Sequence, residues 1–387
     1  DFNKEDKFDN LLGLDSEHPL LRIQKFAKKY AVDNEFLIQD FLNLSNYSDD
    51  QDIRYLINLA AKGYIIYNSI TGKGLIKENV SRSILAKSKK IDFEELNFFS
   101  EFPKDGKNAL LDLNSMNLTI YGVSSVKISS VRDVIAFPTN NEVVVRKGRD
   151  FSMGGKLLAG NAGRFRINSE AIEFNYEEFK LYFQDATTQI WIPNNRGEYN
   201  QKGNLVLELI ESEITISNGE LLVDTSINKS GIWQEDYPQY PIIRSYDRSK
   251  VYYDDINILG GVYDRNKFFF DIDPFEIDSL DTYDRTSLSF PGVFNSGDIF
   301  PTFEQELRVQ EDNILGFSIL IAEDGLPLYV DKGYFEGNNY LSLDKSGLRG
   351  EGNFTYLTSI TESKDYIFYL DSMNTNALSF DLIKKAD

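Results

Sequence analysis

Six carboxylates crowd one short stretch: Asp271, Asp273, Glu276, Asp278, Asp281 and Asp284. Calcium takes about six to eight oxygen ligands, and closely spaced carboxylates supply them. Asp271, Asp273, Glu276 and Asp278 are therefore the candidate calcium ligands. The stretch has neither the spacing nor the glycine of an EF-hand loop. Asp271 and Asp273 also alternate with Phe270 and Ile272, the pattern of a strand with one wet face. A solvated sheet face accounts for the same residues. Trp233, Tyr237 and Tyr240, with Tyr246, Tyr252 and Tyr253 close behind, offer rings on which sugars stack, and packing within a sheet accounts for them too. The 61 acidic residues allow many glycosidase-like pairs, but none stands in a diagnostic motif.

Other chemistries lack their residues. His18 is the single histidine, set before Pro19, and builds neither a triad nor a histidine metal site. The chain has no cysteine, which removes disulfides, thiol nucleophiles and thiolate ligands together. Gly154-Gly155 and Gly260-Gly261 lack a phosphate-loop context and read as turns. Calcium is the one cofactor the residues suggest. The net charge of -20 opposes phosphate backbones and anionic lipid. No run of ~18 apolar residues is present, so no helix is expected to span a membrane. The chain opens on Asp1 and closes on Lys384-Lys385-Ala386-Asp387, and reads as a processed form or a piece of something longer.

The elements that would position these residues fall into five stretches. Residues 1–17 are polar and read as an arm. Residues 18–80 carry helical periodicity, first through Leu20, Leu21, Ile23, Phe26, Ala27 and Tyr30. Asp33 or Asn34 would cap a second helix bearing Phe36, Leu37, Asp40, Phe41 and Leu44. A third would start at Asp49, Asp50 or Asp52 and end at Gly63, followed by a hairpin around Thr71-Gly72-Lys73-Gly74. Three helices and a hairpin make a winged-helix-like α/β module. Its third helix begins Asp49-Asp50-Gln51-Asp52, the wrong charge for reading DNA, so no nucleic-acid partner is expected. Residues 81–107 read as a connector, with a basic knot at Lys87, Lys89 and Lys90 followed by Phe93, Leu96, Phe98 and Phe99.

From residue 108 on the grammar is strand and turn, rich in the 28 Phe and 22 Tyr that suit a pleated surface. Val134–Pro138 and Glu142–Arg146 read as a hairpin over Thr139-Asn140-Asn141. A strand breaks at Pro274. The Pro- and Gly-bearing stretch 193–203 divides the region into a first β unit, 108–197, and a second, 198–387. The expected class is mainly β: the small N-terminal module, then antiparallel sheet units built as jellyroll, sandwich or open β-stack.

One phrase recurs. Gly155-Lys156-Leu157-Leu158 precedes Phe174-Asn175-Tyr176 and Phe179, and Gly352-Asn353-Phe354-Thr355 precedes Phe368-Tyr369-Leu370-Asp371. Together with Gly347-Leu348-Arg349-Gly350-Glu351 and Lys364-Asp365-Tyr366-Ile367-Phe368, it resembles large exported β-repetitive proteins of Bacteroidota that carry a helical module near their start. A weaker similarity, in glycine–strand–turn–strand–Asp spacing, is to the OstA-like lipopolysaccharide-transport proteins. The first resemblance implies a non-enzymatic structural or interaction protein of the periplasm or outer membrane, with protein partners. The second implies lipid carriage in an open apolar groove, and the aromatics keep carbohydrate binding or hydrolysis as a third reading. Asp278-Ser279-Leu280 and Asp371-Ser372-Met373 resemble the short Asp-Ser-apolar sequon for periplasmic O-glycosylation, which makes Ser279 and Ser372 candidate modification sites; a local Asp-Ser turn explains both equally.

Overall fold

The computed structural model describes residues 19–45, 48–61, 64–77, 79–87, 92, 94–101, 106–146, 149–194, 196–201, 203 and 205–382. It is mainly β, 48% strand against 13% helix. The chain divides into two compact units: Asp1–Glu95 with Thr225–Asp236, and Leu96–Asp224 with Tyr237–Asp387. The expected arm, His18, Lys89, Lys90 and Phe93 lie outside the described residues.

The first unit runs α1 (Pro19–Tyr30), β1 (Glu35–Leu37), α2 (Ile38–Leu44), α3 (Asp49–Ala61), β2 (Ile65–Asn68), β3 (Lys73–Ile76) and α4 (Asn79–Lys87). The sheet order is β1-β3-β2, all antiparallel. Leu20, Ile23 and Phe26 recur at helical spacing and are buried along α1. Asp49, Asp50 and Asp52 occupy the first turn of α3, where carboxylates oppose the positive end of the helix dipole. Asp52 is wholly buried and is neutralised by Arg22, whose guanidinium lies 4.8 Å from the Tyr55 ring centre. Phe26, Phe36 and Phe41 meet edge to face or tilted at the centre of this core.

Two expectations are corrected here. Phe36 and Leu37 belong to a strand, not to the second helix, and Asp33 and Asn34 take left-handed backbone (φ 53° and 64°) instead of capping it. The reason is tertiary: β1 pairs with β3 at Gly74, whose missing side chain makes room for the Phe36 ring. A Cβ on Gly74 would sit 2.2 Å from that ring. The connector, in turn, begins inside α4, because Val80 and Ile84 have the first unit's core to pack against.

The second unit is a ladder of antiparallel strands. Its path begins β4 (Ala109–Asp112), β5 (Asn117–Tyr121), β6 (Glu142–Val145), β7 (Phe151–Ala159), β8 (Phe165–Asn175), β9 (Lys180–Pro193) and β10 (Ile214–Leu222). β11 (Ile242–Ser245) and β12 (Ser249–Tyr252) share the far edge of β10. β13 (Phe268–Ile272) pairs with β12, and β14 (Glu276–Ile277) with β11. The path continues through β15 (Ser289–Ser296), β16 (Phe303–Val309), β17 (Leu315–Leu320), β18 (Tyr340–Asp344), β19 (Gly347–Tyr356), β20 (Ser359–Phe368) and β21 (Ala377–Leu382). The strands join into one curled layer. The topology traces as a closed barrel, but among the described residues no strand pairing links β21 to β4.

Along β7, β8, β9 and β20 alternate residues turn to one dry face over most of the strand. Phe151, Phe174, Leu181, Leu221 and Ile243 are register partners in turn across five strands, and each is buried. Val251, Phe270 and Phe294 make a second such row, and Phe294 also meets Phe317 edge to face. Each fully buried aromatic is worth roughly 1.5–3 kcal/mol in removal from water.

Two further readings change. Val134–Pro138 and Glu142–Val145 do not form a hairpin: both lie along the same edge of β7, one after the other, and the chain kinks between them. Gly155 permits this approach, because at φ 148° a Cβ there would meet the Phe137 carbonyl oxygen at 2.1 Å. Nor does the ladder break at 193–203. Ile190–Pro193 pairs with Leu207–Ile210 while β9 also pairs with β10, so the sheet runs through. Gly155 and Gly352, the glycines of the recurring phrase, both stand at β-bulges.

Candidate functional site

The acidic stretch forms half of a charge ladder on the wet face. Asp271 lies 3.4 Å from Lys250, its register partner on β12. Asp273 is 3.0 Å from Arg248. Glu276 accepts a hydrogen bond from Arg244, its partner on β11. Asp278 is exposed. Among the described residues no three acidic or histidine side chains come close enough to hold a metal ion. The calcium candidates are thus spread over β13, β14 and the residues flanking them, and three of the four lie against a cation.

Glu276 also ends a longer row. Ser152, Glu173, Tyr182, Glu220, Arg244 and Glu276 are successive register partners across six strands. Glu220 is its buried centre, only 2% exposed, bonded by Lys180 Nζ at 3.2 Å and Arg244 Nη1 at 3.3 Å. Hydrogen bonding to Glu276 raises the Arg244 pKa above its ordinary value. Burial, then the hydrogen bond to Glu220, pushes the Tyr246 phenol up to about 12. Arg146 closes the other end at 3.1 Å from Glu173. Cross-strand pairs of this kind fix register more than they catalyse.

The three stacking candidates divide between the units. Trp233 belongs with the first, where its backbone N–H donates to Asn228 Oδ1 at 2.8 Å. In the same segment Ser230 donates to Asp92 through both N–H and Oγ, each at 2.7 Å. Tyr237 and Tyr240 belong with the second unit, and their carbonyls are held by Arg132 at 2.7 and 3.1 Å. Arg132 is buried and also bonds Asp224 at 2.6 Å. All three aromatic side chains are half-buried. Of the neighbours, Tyr253 is wholly buried, with its hydroxyl on the Leu315 carbonyl.

Ser279 is half-buried in a left-handed turn (φ 50°), and its carbonyl accepts the Thr282 N–H. Ser372 is exposed, and its hydroxyl donates to Asp371 at 3.0 Å. Ser372 thus presents its hydroxyl at the surface beside Asp371.

Sequence reading missed one surface. Among the described residues β21 pairs with β20 alone, which leaves the other edge of its backbone without a described partner strand. Phe380 and Leu382 stand opposite the buried Thr361 and Ser359, on the side that elsewhere forms the dry face. Yet Leu378, Phe380 and Leu382 are 60%, 62% and 74% exposed. Their alternation was legible as a strand, whereas its place at the end of the ladder depends on pairings that no local pattern states. Comparison with protein-family models, curated proteins and solved structures finds no match for this chain.

Proposed function

We propose that this chain is a non-enzymatic protein of the cell envelope, periplasmic or at the outer membrane, that presents β surface to other proteins. The observation that carries the reading is the β21 edge. Natural sheets usually blunt an edge with Lys, Pro, a bulge or a covering loop. β21 presents Leu378, Phe380 and Leu382 beside a backbone edge that pairs with no other strand among the described residues. An extended segment of a partner chain adds to such an edge by main-chain hydrogen bonds and seats alternate apolar side chains on the exposed row.

The N-terminal order helix–strand–helix–helix–strand–strand, with sheet order β1-β3-β2, is compatible with a winged-helix-like module. Asp49 and Asp50 at the exposed start of α3 favour protein docking over DNA for it. OstA-like lipid carriage has less support, because it needs an apolar row open to lipid and the rows through Phe174 and Phe270 are dry. The envelope setting rests on the Bacteroidota resemblance. Fractionation of native cells with intact-mass measurement tests it: the protein is expected in the envelope fraction, with added mass at Ser372. A cytoplasmic protein of unmodified mass removes the setting.

A further inference from the structure

We propose that a cleft of about 740 Å³ in the second unit binds an acidic sugar. Its Phe354 and Tyr356 stand two strands from Phe380 and Leu382 in the same register rows, and Ser372 also lines it, so the test uses chain unmodified at Ser372 and its outcome does not depend on the envelope setting. Its volume falls within the range of small-molecule sites, about 300–1,000 Å³. Lys267, Lys332, Asp298, Asp371, Phe354 and Tyr356 line it.

The cleft is a built feature of the fold. Gly333 and Gly297 stand in its wall where no side chain fits: a Cβ on Gly333 would lie 2.4 Å from the Phe354 ring, and one on Gly297 2.5 Å from Leu370. The loop between them in space is strained. Tyr329, Val330 and Asp331 are consecutive residues at φ 51°, 55° and 60°. A β-branched residue in that region is a true outlier, and such strain persists only where surrounding bonds over-determine it. Here they do: the Tyr329 N–H donates to Ile299 O at 2.9 Å, and its hydroxyl reaches the Tyr369 and Ser372 carbonyls. The strained turn leads directly into Lys332.

Three kinds of group then face one space. Lys267 and Lys332 make no ion pair among the described residues, in a chain with 61 acidic and 41 basic side chains. Tyr356 is 45% exposed and stacks on Phe354 at 17° between ring planes. Asp298 and Asp371 bring carboxylate oxygens, which accept hydroxyl protons. A bare anion leaves the ring unused and is opposed by the carboxylates, and an apolar amphiphile brings no hydroxyl to either carboxylate. A sugar acid uses all three: ring face on Tyr356, carboxylate on the lysines, hydroxyls on the aspartates.

Isothermal titration of the full chain with tri-galacturonic acid, sialyllactose and a glucuronate disaccharide tests this, with maltotriose and a hexaglutamate peptide alongside. The expected result is saturable binding of at least one sugar acid, at least tenfold tighter than maltotriose or the peptide and weaker at higher salt. Tyr356→Ala and Lys332→Glu are each expected to weaken it tenfold or more, and Lys156→Glu, at an exposed position outside the cleft, to leave it unchanged. Circular dichroism confirms that each variant is folded. Failure of all three sugar acids to bind overturns the proposal. So does binding that both cleft variants leave intact. Equal binding of maltotriose removes the acidic requirement, and equal binding of hexaglutamate removes the sugar.

Discussion

Removing the Arg132 side chain should be among the most damaging single changes in the second unit. Arg132 is 1% exposed and Asp224 2%. The guanidinium bonds the Asp224 carboxylate at 2.6 Å and the carbonyls of Tyr237 and Tyr240 at 2.7 and 3.1 Å. Arg132→Met keeps most of the volume and removes the charge and all three bonds. Breaking a buried ion pair from one side costs roughly 3–5 kcal/mol, because the remaining charge stays out of water. Each buried carbonyl that loses its donor adds about 1–3 kcal/mol, less where water reaches it. These terms overlap, so a loss of about 5 kcal/mol is expected, comparable to the whole stability of many domains. Urea unfolding followed by circular dichroism measures it against wild type, and hydrogen exchange at 237–241 should speed up in the variant. The double variant Arg132→Met/Asp224→Leu should recover part of the loss, since an apolar pair avoids the orphaned charge. A cost below about 1 kcal/mol for Arg132→Met, or a double variant worse than the sum of the singles, would refute the reasoning.

Gly155→Ala places a Cβ 2.1 Å from the Phe137 carbonyl oxygen at φ 148°, so a loss of roughly 2–3 kcal/mol is expected in urea unfolding, with Lys156→Ala near neutral. Burial pushes the Glu94 carboxyl up to about 7, and the nearby Asp92 and Glu95 charges act in the same direction. The folded carboxyl therefore keeps its proton while the unfolded one loses it near 4.5, and the fold loses stability as pH rises from about 4.5 to about 7. Glu94→Gln should accordingly stabilise the first unit at pH above 7, by at most ~3 kcal/mol, and be neutral at pH 4, read as the melting-temperature difference at the two pH values. Because Asp271, Asp273 and Glu276 each face a cation, excess calcium or EDTA should leave the melting temperature unchanged, and a rise of several degrees with calcium would restore the metal reading.

What the sequence disclosed follows from which forces are local. Alternation in Phe270-Asp271-Ile272-Asp273 was enough to separate a dry face from a wet one, and the structure buries Phe270 and Ile272. Helical spacing in Leu20, Ile23 and Phe26 likewise identified α1 and its buried stripe. What stayed hidden depends on partners distant in the chain. Phe36 became strand because Gly74, far along the sequence, leaves room for its ring. The apparent hairpin at 134–146 dissolved because both strands prefer the edge of β7. The acidic stretch looked like a ligand set because Arg244, Arg248 and Lys250 precede it in β11, β12 and the turn between them, and only the fold brings them opposite. The cleft at Lys332 was invisible for the same reason, since its walls come from loops at 267, 297, 330 and 371.

The central claim is that the β21 edge docks a partner's extended segment in the envelope. The most direct test installs a benzophenone amino acid at Phe380 in the native cell, irradiates, fractionates, and maps the crosslink by mass spectrometry. The account predicts one predominant crosslinked protein in the envelope fraction, joined through an extended segment, and lost when Leu378 and Leu382 are changed to Lys. A protein found in the cytoplasm, or a Phe380 probe that joins no protein there or in the envelope, would contradict it.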